Sequence, residues 1–250
     1  MKIDIDLNCF FDGTLGYDLR SVNEYKKNLD LCQEASEKII AETKNKSNEI
    51  INSFSRNYQE KIKLQKLKIS EKKNKLVIGL GGSSAGAKAV NAYLEEGIYF
   101  FDNYDPGHLS NFFKNYNLKD FTIYIISKSG TTFETMAMLN LTYQHLIKIL
   151  TKEEIKKNLI IITEDSDNPL NNFAKKNDFQ LIAHNKKIGG RYSVFSEVGM
   201  ILFDLDALEI SSSAESVILK LIDKNQEDQS NPVVNAAVIL TLQKNNDIRF

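Results

Sequence analysis

The chain has 250 residues, 42% hydrophobic and 26% charged, a composition ordinary for one large globular domain or a domain with an appendage. A formal net charge of -1 excludes the broad basic field of nucleic-acid binders, and two cysteines, Cys9 and Cys32, are too few for a disulfide or zinc framework. The start MKIDIDLNCF places acids where a signal peptide needs basic residues, and no apolar run approaches the ~20 residues that span a bilayer, so a reducing cytoplasm without a membrane partner is expected.

Residues 1–74 are rich in lysine and asparagine and hold no proline. Val22, Tyr25, Leu29, Cys32 and Ile39 fall on one helical face, and Ile50, Phe54, Tyr58 and Ile62 continue the pattern. Ser36 and Thr43 interrupt a coiled-coil seam, so this segment reads as an N-terminal helical arm packed on the main body. From Lys75 the texture changes. KLVIGLG, GIYFFDN, FTIYIIS, NLIIIT and FQLIAHN are short apolar runs separated mostly by helical stretches, the pattern of a parallel sheet covered on both faces. The expected fold is a doubly wound, mostly parallel α/β domain over about 75–208. Asn168-Pro169 and Asn231-Pro232 each pair an N-cap with a proline at the first helical position. Residues 209–250 read as a helical connection, with Val233 to Gln243 helical and Ile248-Arg249-Phe250 as the first residues of a further strand, so the chain is expected to be a truncated piece.

Three strand-end loops carry unusual chemistry, and in such sheets ligands bind beyond the carboxyl ends of the strands. In VIGLGGSSAGAKAV, Gly79-Leu80-Gly81 and the later Asp102 suggest a dinucleotide fingerprint, but Ser84 stands at the third glycine position. A P-loop fails too, because Ala87 intervenes before Lys88. What remains is Gly81 and Gly82 for close backbone approach, with Ser83 and Ser84 as hydroxyls at a helix start. SKSGTTFET, 127–135, supplies hydroxyls from Ser127, Ser129, Thr131 and Thr132 around Gly130, with Lys128, ahead of a helix expected to begin near Thr131. Dense donors with no acid among the first six residues fit a phosphate monoester, while Thr131 and Glu134 have the spacing of a capping box. In IGGRYSVFSEVG, Gly189-Gly190 precede Arg191, whose permanent charge suits a developing oxyanion; taken alone, such an arginine is more often paired with a surface carboxylate.

IGLGGS, SKSGTTFET and GGRYSVFS in this order resemble the motifs of the glucose-6-phosphate isomerase family, GGRYSVFS being the specific one; the similarity covers roughly Leu76 to Gly199. The resemblance implies a sugar-isomerase (SIS) domain acting in glycolysis and gluconeogenesis, without a cofactor and as a homodimer. It implies that Ser127, Ser129, Thr132 and Lys128, by its amide or side chain, hold the phosphate of a hexose 6-phosphate. Gly82, Ser83 and Gly190 would lie against the sugar, and Arg191 would stabilise the enediolate. It further implies a glutamate base, a ring-opening histidine and a late lysine contributed by a second SIS domain, so this chain alone is expected to be inactive. None of His108, His145 and His184 sits in a matching motif, though His184 lies near Arg191 in sequence, and no stretch has zinc-site spacing. The rivals are a stand-alone sugar-phosphate-binding or regulatory module, which needs no base, and a nucleotide-dependent oxidoreductase.

Overall fold

Each of the five apolar runs forms a strand: β1 (Asn74–Ile78), β2 (Ile98–Phe101), β3 (Phe121–Ile126), β4 (Leu159–Glu164) and β5 (Gln180–His184). They make one sheet in the order β2-β1-β3-β4-β5, and every neighbouring pair is parallel. This computed structural model describes residues 23–72 and 74–203, and near the C-terminus 233, 236–238 and 240–241. Asn231-Pro232 and Ile248-Arg249-Phe250, singled out above, lie outside the described residues.

Among the described residues, three helices precede the sheet: α1 (Asn23–Asn45), α2 (Glu49–Asn52) and α3 (Arg56–Lys66). Parallel pairing requires crossovers, which are α4 (Ala85–Leu94), α5 (Pro106–Asn115), α6 (Phe133–Ile149), α7 (Lys152–Asn158) and α8 (Pro169–Asn177). The Asn168-Pro169 start behaves as expected, with the Asn168 side chain accepting from the Asn171 amide at 2.8 Å. A short helix, α9 (Glu197–Met200), follows β5.

Alternation along the strands divides the apolar side chains between two cores. Phe121, Ile123 and Ile125 join Leu76, Ile78 and Ile161 beneath Leu109, Phe112, Met138, Leu146, Ile155 and Leu170 of α5–α8. Tyr124 and Ile126 face the other way with Val77, Ile160, Ile162 and Ile182, covered by Ile62 of α3, Ala87 of α4, and Val198, Leu202 and Phe203. The inner strands β1, β3 and β4 are buried on both faces and so read as continuous apolar runs, while the edge strands β2 and β5 are only partly buried.

The chain divides into two compact units, Glu49–Ser212 and Met1–Asn48 with Ser213–Phe250. In the second, α1 is a 23-residue helix, and Val238 is buried among helical residues near the C-terminus. The sheet unit takes in α2 and α3, so the expected arm is shared between the units. The continuous helical run expected over Ile50 to Ile62 is broken at Ser53–Ser55, where Ser55 caps α3 by accepting from the Tyr58 amide at 3.3 Å. The reason α3 belongs with the sheet is its polar grip on the chain after β5. Gln59 donates to the Phe195 carbonyl at 2.7 Å, and the Lys66 ammonium donates to the Phe203 carbonyl. Lys75 donates to the Leu202 carbonyl at 2.6 Å, and Glu71 stands 3.6 and 3.5 Å from the two ammonium groups, compensating their burial.

Candidate functional site at the carboxyl ends of the strands

β2 lies on one side of β1 and β3 on the other, so the strand order reverses at β1 and β3. Open α/β sheets bind ligands beyond the carboxyl ends of the strands at such a switch point, and the loops 79–84 and 127–132 leave from those ends of β1 and β3.

The loop after β3 is built from its own residues. Ser127 is buried; its amide donates to the Ile162 carbonyl at 3.1 Å, and its hydroxyl accepts from the Gly130 amide at 3.2 Å. The Ser127 and Thr132 hydroxyls lie 3.0 Å apart. Gly130 takes φ +65°, and a Cβ there would stand 1.9 Å from Asn168 Oδ1. That left-handed turn delays the helix, so α6 starts at Phe133 with Thr132 as its N-cap and no side-chain capping bond. The capping box expected from Thr131 and Glu134 is therefore not formed; Thr131 instead directs its amide and hydroxyl to the Ser129 hydroxyl, at 3.3 and 2.9 Å. Ser129 and Thr131 are exposed and Thr132 half-buried, in front of a 17-residue helix whose first amides have no intrahelical acceptor. The Lys128 side chain turns aside. Its ammonium donates to the Lys186 carbonyl at 2.9 Å and lies 3.6 Å from Glu164, which links this loop to the one after β5.

The other two loops meet back to back. A Cβ on Gly82 would lie 2.4 Å from the Gly190 carbonyl carbon, so only glycine lets the turn 81–83 rest on the turn 190–192. The Ser193 hydroxyl seals the contact, 3.2 Å from the Gly82 carbonyl and 2.8 Å from that of Gly190. Ser83 is half-buried beside Gly82, while the Ser84 hydroxyl turns back to the Gly81 carbonyl at 3.3 Å. Arg191 is exposed, and among the described residues its guanidinium has no carboxylate partner.

Two residues that sequence reasoning did not assign support this loop. His184, at the end of β5, and Glu197 are both buried, with Nδ1 and Oε1 2.5 Å apart. The same Oε1 accepts from the Asn185 amide at 2.8 Å, and Oε2 accepts from the Tyr58 hydroxyl at 2.8 Å. Burial pushes the Glu197 carboxyl up, but the hydrogen bond and charge of His184, helped by the amides of Glu197 and Asn185, hold it below its ordinary value. Burial, then the charge of Glu197, pushes the Tyr58 phenol up. The other histidines are ring partners, His108 with Phe101 at 4.8 Å and His145 with Phe113 at 4.5 Å. Asp102, the ribose acid of the dinucleotide rival, is ion-paired with Lys88 at 2.7 Å. Among the described residues no cluster of three or more metal-ligating side chains occurs, and no helix is long and apolar enough to cross a membrane.

An open parallel sheet with glycine- and hydroxyl-rich loops at its switch point defines an α/β domain of the SIS type. Solved structures share that fold. A hypothetical protein from Thermus thermophilus aligns with a TM-score of 0.68 and 20% identity, covering 88% of this chain and 55% of that one. A glucose-6-phosphate isomerase from Chlamydia trachomatis aligns with a TM-score of 0.59 and 22% identity, covering 79% and 38%. In sequence, the glucose-6-phosphate isomerase of Methanocaldococcus jannaschii is 32% identical over 66% of this chain and 41% of its own length. That of Borreliella burgdorferi is 33% identical over 69% and 34%. The family model for phosphoglucose isomerase matches residues 27–236, well beyond the three motifs. The chain belongs to the phosphoglucose isomerase family. It spans about two fifths or less of these curated relatives.

Proposed function

We propose that this chain supplies the phosphate clamp and the oxyanion-stabilising arginine for interconversion of glucose 6-phosphate and fructose 6-phosphate. The observation that carries the reading is the Lys128–Lys186 link, which joins a hydroxyl-lined helix N-terminus to the loop of an arginine with no carboxylate partner among the described residues. Ser127, Ser129 and Thr132, with the Lys128 amide, hold the phosphate; the Lys128 ammonium serves the loop-to-loop contact instead. Gly82, Ser83 and Gly190 lie against the sugar. In the aldose-to-ketose direction a base takes the proton from C2, electron density moves to the C1–C2 oxygens as an enediolate, and the proton returns at C1. Arg191 stabilises that charge without exchanging a proton. Glu197 is committed to His184, and Glu164 lies within ion-pair distance of Lys128; the family resemblance implies that the base is a glutamate of a second SIS domain.

The reading takes a hexose 6-phosphate as ligand, no cofactor, a cytoplasmic homodimer as the full-length assembly, and a second SIS domain following 209–250. A stand-alone sugar-phosphate-binding module is the second reading, favoured by the engagement of all three histidines in ring contacts or buried hydrogen bonds. Titration with fructose 6-phosphate in a calorimeter tests the shared core. Saturable binding is expected, weakened about 10–100-fold in Thr132→Val, the range of one hydrogen bond to a charged group. Undiminished binding in Thr132→Val sinks the clamp. Turnover by this chain alone would show that the base lies within it.

A further inference from the structure

We infer that the His184–Glu197 pair is a clasp that positions Arg191, closing the two ends of the segment 184–197 on each other. The inference rests on the functional reading above for the role of Arg191, but its geometry stands by itself. β5 ends at His184, and the chain must pass through Gly189-Gly190 before Arg191, a stretch with little stiffness of its own. His184 spans it twice. Nε2 lies 3.1 Å from the Ile188 carbonyl, which only accepts, so that nitrogen carries a hydrogen and ties the residue just before the glycines. Nδ1 lies 2.5 Å from Glu197, the residue that opens α9 beyond the loop. Glu197 completes the closure by taking the Asn185 amide on the same oxygen.

The pair is braced from outside the loop. Tyr58 of α3 donates to the second carboxylate oxygen, and Glu49 of α2 accepts from the Asn185 side chain at 3.0 Å. His184 and Glu197 are 3% and 4% exposed, and every ring nitrogen and carboxylate oxygen has a partner. Neither is free to exchange a proton with a ligand, so their contribution is geometric and they are positioning residues. Packing alone would not call for them, since burying a charged pair is costly and apolar side chains fill such space at least as well. Directional bonds to both ends of a two-glycine loop fix its register, which packing does not.

The test compares the parent chain with Glu197→Gln, which keeps shape and removes charge, and with the milder Tyr58→Phe. Hydrogen exchange is read at the loop amides of Ile188, Tyr192 and Ser193, which donate within the loop, and at β3 amides as reference. The expected result is about 10-fold faster exchange at the loop amides in Glu197→Gln and about 3-fold in Tyr58→Phe, with β3 unchanged. Unchanged loop exchange in both variants overturns the inference, and so does equal acceleration in β3, which would make the pair a general stabiliser. Calorimetry then compares inorganic phosphate with a pentonic acid 5-phosphate, whose carboxylate imitates the enediolate. Glu197→Gln should lower the affinity for the sugar acid about 10-fold, leave inorganic phosphate unchanged, and add nothing in an Arg191→Ala background. Independent, additive losses overturn the positioning role. If the parent binds neither ligand, the hexose-phosphate reading fails, while the exchange result still decides the clasp.

Discussion

The loop 127–132 and the loop 188–196 both lie beyond the carboxyl ends of the strands of one sheet, after β3 and β5, yet they are held by different means. The first is secured over a shorter span of chain: Ser127, Thr132 and Gly130 bond among themselves, to Ile162 of β4 and to Leu170 at the start of α8. The second is secured by residues far away in sequence, with Gly82 beneath it, Tyr58 and Gln59 beside it and Phe54 against Phe195 at 4.6 Å. A clamp for a compact anion thus draws on contacts of shorter range. The presentation of a charged side chain depends on the whole unit being folded.

Substitutions at the two loops should separate these behaviours. Gly82→Ala should have the largest effect, because its Cβ meets the backbone of Gly190 at 2.4 Å and backbone cannot swing aside. A loss of about 3 kcal/mol or more is expected, or roughly 6–12 °C in thermal unfolding, with both phosphate and sugar-acid binding impaired. A melting temperature within about 2 °C of the parent would show that the loops do not rest on each other. Gly130→Ala should cost less, about 2–3 kcal/mol, combining a positive-φ penalty with displacement of the Asn168 cap. Here inorganic phosphate binding should fail while the exchange of the 188–193 amides stays as in the parent. Faster exchange there would show that the local loop is not independent.

The smallest effect is a matter of pH. Glu197 is held below its ordinary value of 4.5 in the folded chain, facing His184 from β5 and Tyr58 from α3, with Glu49 of α2 reaching Asn185 beside it. A depressed carboxylate contributes stability that is present above its unfolded value and lost as pH falls through the folded value. Denaturant midpoints should therefore decline below about pH 4.5 more steeply in the parent than in Glu197→Gln. Parallel declines would remove Glu197 as a source of acid sensitivity.

This contrast also explains what can be read from the sequence. The inner strands β1, β3 and β4 are visible because burial on both faces leaves continuous apolar runs, and the Ser127–Thr132 loop because its hydroxyls and glycine are neighbours in the chain. The capping-box reading of Thr131 and Glu134 fails because Gly130 turns the backbone before the helix begins. The direction of the Lys128 side chain is illegible, since its acceptor is the backbone of Lys186, which any residue could offer. Glu197 stands inside a quoted motif, yet its partners, Tyr58 and His184, are 139 and 13 residues away and share no pattern with it.

The grip of α3 on the chain after β5 has a consequence for synthesis. Tyr58, Gln59 and Lys66 meet partners 139, 136 and 137 residues downstream. At ~5–20 residues per second a ribosome needs roughly 7–28 s to deliver them. During that interval α3 exists without the segment it holds, and the apolar side of Ile62 waits for Phe203. The partners of the anion loop reach residue 170 and those of the arginine loop reach 197, so an early intermediate competent to hold a phosphate is one in which Arg191 has no fixed place.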